Sequence, residues 1–528
     1  MSADLVLRGG IVHDGLGSPG RRADVVVEGD HIVEVTSHRT SALRVIDCQD
    51  LVVAPGFIDP HAHSDLVHLA AEPAPFKLEQ GVTTEIVGNC GFSFAPMTAA
   101  AIELLGGAWD ELSAEQPVRP RGFGEFLAEL EAARPTNNVA ALVGHGTLRA
   151  VANGVDQELR PGALEEMRRL AGEALAAGAA GLSSGLIYVP GTYSDTDELV
   201  ALAEVAAAHG RPYTTHMRDE ADYLADALDE AIAIGRRSGA RVQVSHCKVA
   251  GRRNHGNTAA LLDRLVAARV EGIDVAGDQY PYTAGSTVLA ALLPPVASEG
   301  GVEKLRARLA GVESRAKLRR LAESGAPATG LWNSLLPGDV RVVRHSDRRV
   351  LGRTLSDIAG ADDAWDTMCA LVRDDPGALI VLELMSEDDV QTIMRDPLVA
   401  IGSDNGPPLG LQHPRTWGCF PRVLGRYVRE LNVLGWEEAI RKMTSIAARR
   451  FGLAGRGALL PGMVADIAVF DPQRIGHEGT PLRPDVRPTG MQTVLLSGTV
   501  VLRDGEPTGE RHGRVLRPAS VWDLAGTT

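Results

Sequence analysis

The sequence has few of the features that mark membrane, secreted or nucleic-acid-binding proteins. No apolar run approaches the ~18–20 residues that cross a bilayer, and residues 1–4 do not begin the basic-then-apolar plan of a signal peptide. The five cysteines are odd in number and scattered, which argues against a disulfide framework. Basic residues number 53 against 68 acidic ones, so the net charge of −15 disfavours nucleic acid and anionic membranes as partners. We therefore expect a soluble cytoplasmic protein, and its oligomeric state stays open.

Aromatic residues are also scarce, at 4%, but 44% of the chain is hydrophobic and can form a sizeable aliphatic core. At 528 residues the chain exceeds a typical domain of ~150 residues, so more than one structural unit is expected. Both ends have the pattern of short strands with tight turns, whereas the middle alternates strand-like runs with helices. The middle contains eight predicted strands, at 56–61, 83–87, 139–143, 180–184, 212–216, 242–246, 273–279 and 399–403.

Eight such units predict an α/β fold, a (β/α)8 TIM barrel with its chemistry at the carboxyl ends of the strands. Strands four to seven begin about 31 residues apart, but the last interval, from 273 to 399, is about four times longer. The long interval predicts an inserted, lid-like subdomain at 287–376, before strand eight. We expect the barrel to span 56–454 and a small β-sandwich domain to combine 1–55 with 455–528.

Histidines and an aspartate follow several of the predicted strands. His61 and His63 are alternate residues of one strand, so their imidazoles point the same way. His216, His246 and Asp404 end three other strands. Each residue alone is compatible with a structural role, but several histidines and a carboxylate on one rim are typical of a metal site. A buried carboxylate would also be costly there without a compensating charge.

Cys90 adds a softer ligand to this rim. It follows predicted strand two between Gly88 and Gly91, where the backbone must approach closely. The other cysteines are compatible with small, inert hydrophobic residues. A set of cysteine and histidine ligands favours Zn²⁺ over Mg²⁺ or Ca²⁺.

Several motifs resemble those of one enzyme family. The run GFIDPHAH at 56–63, the later histidines, Asp404 and the split β domain are similar to the amidohydrolase superfamily. A closer resemblance, to the D-aminoacylases (N-acyl-D-amino-acid deacylases), extends over nearly the whole chain. Its motifs are GNCGFS at 88–93, SSGLIY at 183–188, SHCK at 245–248, DQYPY at 278–282 and HPR at 413–415.

The resemblance implies a ligand set. A tightly bound zinc ion would be held by Cys90, His216 and His246, and a weaker second metal position would be lined by His61, His63 and Asp404. Many amidohydrolases bridge two metals with a carboxylated lysine from strand four. Here strand four ends in two serines at 183–184, and the chain has only five lysines, none of them there, so Cys90 is the expected substitute.

The resemblance also implies catalytic and substrate-binding roles. Asp404 would take a proton from the attacking water and pass it to the leaving amine. The oxyanion would be stabilised by Tyr188 or by His145. The alternative for His145 is a purely structural role. The substrate carboxylate would be bound by Lys248 or Arg415, with added hydroxyl bonds from Tyr280 and Ser286.

The leading hypothesis is therefore zinc-dependent hydrolysis of N-acyl-D-amino acids to a carboxylate and a free D-amino acid. The D configuration follows from the resemblance alone. The alternatives are a cyclic amidase of the hydantoinase or dihydroorotase type, a deacylase of a specialised metabolite, and an inactive scaffold on the same fold. The missing lysine of strand four argues against the cyclic amidase, and the complete ligand set argues against the scaffold.

Overall fold

A computed structural model describes residues 3–72, 74–105, 113 and 115–518 of the chain. Within these residues the centre of the protein is a barrel of eight parallel strands, which lie at the eight predicted positions. The strands are Phe57–Asp59, Val82–Val87, Asn138–Ala141 with its continuation Val143–Gly144, Leu182–Gly185, Tyr213–His216, Val242–Val244, Val275–Gln279 and Val399–Ile401.

Backbone hydrogen bonds between the first and last strands close the barrel. The Asp404 amide donates to the His61 carbonyl over 2.8 Å, and the His63 amide donates to the Asn405 carbonyl over 2.9 Å. These bonds lie just beyond the two strands, at their carboxyl ends. Closure therefore brings the two predicted histidine ligands of strand one beside the predicted aspartate of strand eight.

The helices cover the outside of the barrel because each has one apolar face. In Leu224–Ser238 the buried residues Leu224, Ala227, Leu228 and Ala231 recur at helical spacing. Within the described ranges no helix combines the length and hydropathy needed to span a bilayer, and a cytoplasmic location stays a prediction. The remaining helices outside the insertion are Ala99–Leu105, Phe123–Ala133, His145–Ala152, Ala163–Ala177, Thr196–Ala208, Ala259–Val270, Glu387–Arg395, Arg415–Arg422, Trp436–Lys442 and Ser445–Phe451.

Both ends of the chain contribute strands to one nine-stranded sheet. Val52–Pro55 pairs antiparallel with Ile467–Phe470, and this pairing joins the N-terminal strands to the C-terminal ones. Ala3–Val12 pairs along one edge first with Ala42–Asp47 and then with Val52–Pro55, so the sheet divides at this strand. The other strands are Arg21–Glu28, His31–Thr36, Met491–Leu496, Thr499–Arg503 and Glu506–Pro507.

The C-terminal segment corrects the predicted β-domain boundary of 455–528. Val515 forms a parallel bridge with Val139, and the Val139 amide donates to the Arg514 carbonyl over 2.9 Å. Val515 is buried in the apolar cluster of the barrel wall. The chain around Val515 therefore packs on the barrel, because the apolar side chain of Val515 contacts the apolar cluster of the barrel wall.

The long interval before the last barrel strand contains a separate three-stranded sheet. Leu379–Glu383 lies in the middle, antiparallel to both Ala284–Val288 and Val340–Arg344. The predicted range of 287–376 is too short at both ends, because the central strand follows it and a partner strand begins before it. We propose 284–383 as the inserted unit. Its helices are Val302–Ala310, Val312–Ala322, Leu355–Ala359 and Ala364–Asp374.

Candidate metal centre

The carboxyl ends of five barrel strands bring the six candidate ligands together. Each ligand belongs to, or closely follows, a strand whose apolar residues anchor it in the barrel wall. All six side chains are buried, with at most 7% of any residue exposed. They are His61, His63, Cys90, His216, His246 and Asp404.

The donor atoms form two overlapping groups that share Cys90, and within each group all donors lie within 4.8 Å of one another. The Cys90 Sγ lies 3.3 Å from His61 Nε2 and 3.6 Å from His246 Nε2. Two ligands of a tetrahedral zinc, with bonds of about 2.3 Å to sulfur and about 2.0–2.1 Å to nitrogen, lie about 3.6 Å apart. The spacing therefore fits a metal ion between them. The groups are Cys90, His216 and His246, and His61, His63, Cys90 and Asp404.

The imidazole of His216 is an independent indication that the site fits a metal ion. Neither of its ring nitrogens has a hydrogen-bond partner among the described residues, although the ring is buried. Buried polar atoms nearly always have a partner. Burial lowers the pKa of His216, so the ring is neutral at neutral pH, which is the form that binds a metal.

The backbone is strained at three of the ligands. Cys90, His246 and Asp404 have φ angles of +53°, +37° and +51°, a region that few non-glycine residues adopt. Strain of this kind costs about 1–3 kcal/mol and collects at functional sites. Gly88 and Gly91, which flank the cysteine turn, take the same region without a steric penalty, at +78° and +76°.

Two carboxylates hold the ligand histidines in place. Asp278 Oδ1 lies 3.2 Å from His61 Nδ1 and accepts the His246 amide over 2.8 Å. Glu220 Oε1 lies 2.9 Å from His246 Nδ1. With a metal at Nε2 the Nδ1 proton donates to such a carboxylate, which fixes the tautomer and the ring orientation.

Asp404 is charged in this setting. Burial alone would raise its pKa, but Arg415 and His61 lower it well below the ordinary value. The Arg415 Nη1 lies 2.8 Å from Asp404 Oδ2. The Arg415 Nη2 lies 3.4 Å from the Ser286 carbonyl, and its buried Nε has no hydrogen-bond partner among the described residues.

Four of the six candidate ligands, His63, His216, His246 and Asp404, line a cavity of about 890 Å³, part of it open to solvent. All five predicted substrate-binding residues line this cavity: Tyr188, Lys248, Tyr280, Ser286 and Arg415. The inserted sheet supplies one wall of the cavity. The other lining residues include Phe92, Ile187, Glu220, Val288, Leu331, Leu379, Leu382, Leu384, Gln412 and His413.

Two of these residues are already engaged. The Lys248 Nζ lies 2.6 Å from Glu220 Oε1, so its charge is compensated within the protein. The Ser286 hydroxyl donates to the Ile380 carbonyl over 2.9 Å, so its proton is not available to a carboxylate. Arg415 is paired as well, with Asp404, but its planar guanidinium has five N–H donors and can bind a second carboxylate. It is therefore the stronger candidate for the substrate carboxylate, and it stacks on Tyr280 at 4.6 Å from the ring centre.

The position of His145 favours its structural role over stabilisation of an oxyanion. His145 begins the helix His145–Ala152, and its Nε2 lies 2.7 Å from Glu198 Oε1. Glu198 also pairs with the buried Arg149, and this ion pair holds the imidazole in the barrel wall. The ring does not reach the cavity, whereas Tyr188 lies beside the ligands, with its ring 5.1 Å from that of His216.

Sequence reasoning missed a buried polar network behind the aspartate. The Lys77 Nζ donates to Asn405 Oδ1 over 2.7 Å and pairs with both Asp59 and Glu85. The Ser403 amide donates to Asp59 Oδ1 over 2.9 Å. The network thus fixes the residues on either side of Asp404. The sequence feature that could have indicated this network is the position of Asp59, in strand one next to the candidate histidine ligands.

Known proteins match the chain over most of its length. The model of the amidohydrolase family matches residues 44–293 and 366–502. N-acyl-D-glutamate deacylase of Alcaligenes xylosoxydans xylosoxydans is 39% identical over 522 residues, which cover 97% of this chain and 96% of that protein.

Solved structures agree in fold. One of D-aminoacylase, described by its binuclear metal centre, has a TM-score of 0.85 at 36% identity and covers 98% of this chain and 100% of its own. N-acyl-D-glutamate deacylase from Bordetella bronchiseptica, complexed with zinc and a phosphonate mimic of the tetrahedral intermediate, has a TM-score of 0.82 at 36% identity, with the same coverage. The chain therefore belongs to the amidohydrolase family.

Proposed function

We propose that the protein hydrolyses the amide bond of N-acyl-D-amino acids and releases a carboxylate and a free D-amino acid. The proposal is carried by the convergence of six buried side chains of metal-binding type at the cavity that Arg415 lines. A cation beside a metal centre suits an amide that also carries a carboxylate. The names of the relatives support the reaction class and the D configuration.

Zinc is the metal that thiolate and imidazole donors favour. When bound, it lowers the pKa of a water molecule toward ~7 and polarises the amide carbonyl. The solved relative that contains zinc supports this choice. A tightly held ion would have the ligands Cys90, His216 and His246, and a weaker second position would be lined by His61, His63 and Asp404.

Asp404 acts as the proton shuttle. Its Oδ1 lies 3.2 Å from His63 Nε2 and 3.4 Å from His61 Nε2, so the carboxylate faces the ligands. Its lowered pKa keeps it ionised at neutral pH, so its carboxylate carries no proton when the water attacks. It takes a proton from the attacking water and donates it to the leaving nitrogen as the C–N bond breaks.

Tyr188 and Arg415 supply hydrogen-bond donors to the substrate. Burial, together with the negative charge at Cys90, raises the pKa of Tyr188, so its hydroxyl stays protonated and can donate to the oxyanion. The planar guanidinium of Arg415, which lines the cavity, suits paired bonds to the α-carboxylate. The ring of Tyr280 packs against the guanidinium of Arg415 and holds it in place.

The residues of strand four favour a linear amide over a cyclic one as the substrate. The hydroxyl of Ser183 donates to the Gly88 carbonyl, and that of Ser184 lies 2.6 Å from the Tyr213 hydroxyl. No lysine that could carry a bridging carboxylate occupies this described strand.

The experiment is a parallel assay of N-acetyl-D-methionine, N-acetyl-L-methionine and hydantoin with zinc-loaded protein, and with chelator-treated protein as the control. We expect the D isomer to be hydrolysed at least about 100-fold faster than the other two, and only with metal. Equal rates for the two isomers, or ring opening of hydantoin in preference to both, would contradict the proposal.

A further inference from the structure

A second cavity adjoins the catalytic cavity. It has a volume of about 810 Å³, part of it open to solvent. Phe92, Ile187, Tyr188 and Val288 line both cavities. The steps described above do not use this space, so it has room for a part of the substrate beyond the amide and the carboxylate.

The lining of the second cavity is apolar. Leu293 and Leu305 are 3% exposed and form part of its wall. None of its lining residues, all within the described part of the chain, is Asp, Glu, Lys, Arg or His, and Ser298 is the single aliphatic hydroxyl. Such a surface favours a hydrocarbon ligand and disfavours a charged one, because a charge would lose its hydration there.

We propose that this cavity binds the acyl chain of N-acyl-D-amino acids that carry a medium or long fatty acyl group. The inference rests on the proposed function and specifies its substrate class. Hydrolysis requires the amide carbon to lie at the metal ligands, which Phe92 and Tyr188 border. The Phe92 ring is 6.4 Å from that of His63, and the Tyr188 ring is 5.1 Å from that of His216. A chain attached to the amide carbon therefore starts beside the entrance to the second cavity.

An ion pair positions the carboxylate end of the substrate. The α-carboxylate pairs with Arg415, which lies against Tyr280 and Asp404 and does not line the second cavity. The carbon that carries the amino-acid side chain is bonded to this carboxylate and stays near Arg415. The acyl chain is bonded to the amide carbon instead, so it is the part of the substrate that the second cavity accepts.

The test compares kcat/KM for D-leucine carrying acetyl, butanoyl, octanoyl and decanoyl groups, below the concentrations at which they form micelles. Each methylene buried is worth about fourfold, so we expect octanoyl to exceed acetyl by at least about tenfold. A second series keeps the acetyl group and lengthens the amino-acid side chain from D-alanine to D-2-aminooctanoate, where we expect a smaller gain.

The outcomes separate the two proposals. Rates that stay flat or fall with acyl length, or that rise only with side-chain length, overturn the inference. Lack of turnover for every substrate, the acetyl compound included, overturns the proposed function instead.

Two variants fill the cavity without altering the catalytic one. Ala290→Phe and Val302→Phe each add a ring at the lining of the second cavity alone. We expect each variant to lower the ratio of octanoyl to acetyl kcat/KM by at least about tenfold. The kcat/KM for the acetyl substrate should stay within about twofold of the wild-type value. Ala310→Phe, at the exposed end of the same helix as Val302, is the matched control and keeps the advantage. Full retention of the octanoyl advantage in both cavity variants also overturns the inference.

Discussion

Glu220 connects the metal ligands to a buried cation, and we predict that Glu220→Gln weakens both metal binding and folding. Its Oε1 lies 2.6 Å from Lys248 Nζ and 2.9 Å from His246 Nδ1. Burial alone would raise the pKa of Glu220, but Lys248 and His216 lower it well below the usual range. The carboxylate is therefore charged at neutral pH, and the substitution removes a full negative charge.

The magnitude follows from the burial of the pair. Removing one partner of a buried ion pair costs about 3–5 kcal/mol, because the remaining charge is uncompensated. Lys248 is 3% exposed, so solvent relieves little of that cost. Loss of a carboxylate that orients a metal-bound histidine weakens metal affinity by about 10–100-fold. Glutamine can still accept from His246 Nδ1, so we expect the lower half of each range.

Urea unfolding of the chelator-treated protein and competition with a zinc chelator measure the two effects. Glu204→Gln is the control, because it removes a carboxylate that pairs with Arg168 at the surface, and we expect it to change stability by less than about 1 kcal/mol. Adding Lys248→Met to Glu220→Gln removes both charges and should recover part of the lost stability. An unfolding free energy and a zinc affinity equal to those of the wild type in Glu220→Gln would refute the reasoning.

Three further predictions concern substrate binding, the oxyanion and pH. Arg415→Met also removes the partner of Asp404, so it should lower kcat/KM for an N-acetyl amine without a carboxylate as well as for N-acetyl-D-methionine. The loss should be about 10–100-fold larger for N-acetyl-D-methionine, and equal losses would contradict the role of Arg415. Tyr188→Phe should lower kcat by about 100–1,000-fold with little change in KM, and an unchanged kcat would exclude it from the reaction. Burial would raise the pKa of Glu85, but Lys77 and His68 lower it to about 2. The charged carboxylate therefore contributes roughly 3 kcal/mol above its ordinary pKa, and this is lost as the pH falls toward the folded value. Urea midpoints between about pH 3 and 6 should fall less steeply in Glu85→Gln, and parallel curves would contradict this.

The barrel and the grouping of the candidate ligands were predictable because both depend on local patterns. An apolar run followed by His, Cys or Asp is visible in the sequence, and the barrel rule brings all such strand ends to one rim. His61 and His63 share a side because strand residues alternate. The same local pattern left two roles open for His145, since the sequence does not reveal that Glu198 and Arg149 hold it in the wall.

The residues around the ligands were not predictable because their positions depend on contacts distant in the chain. Glu220 follows His216 by four residues in a loop, and nothing local indicates that it meets Lys248. Lys77 is one of five lysines and gave no sign that it is buried against Asn405. The boundaries of the insertion were missed for a similar reason: Leu379–Glu383 is as apolar as a barrel strand and differs only in its partners.

Zinc content and turnover, measured together for the wild type, Cys90→Ala and Asp404→Ala, test most directly whether a metal held at the strand ends performs the hydrolysis. Cys90 belongs to both ligand groups, so we predict that Cys90→Ala loses zinc and activity together. Asp404→Ala should keep the zinc bound by the other group and lose turnover. Full turnover in Asp404→Ala, or zinc-free wild type that hydrolyses N-acetyl-D-methionine as fast as the zinc-loaded protein, would contradict the account.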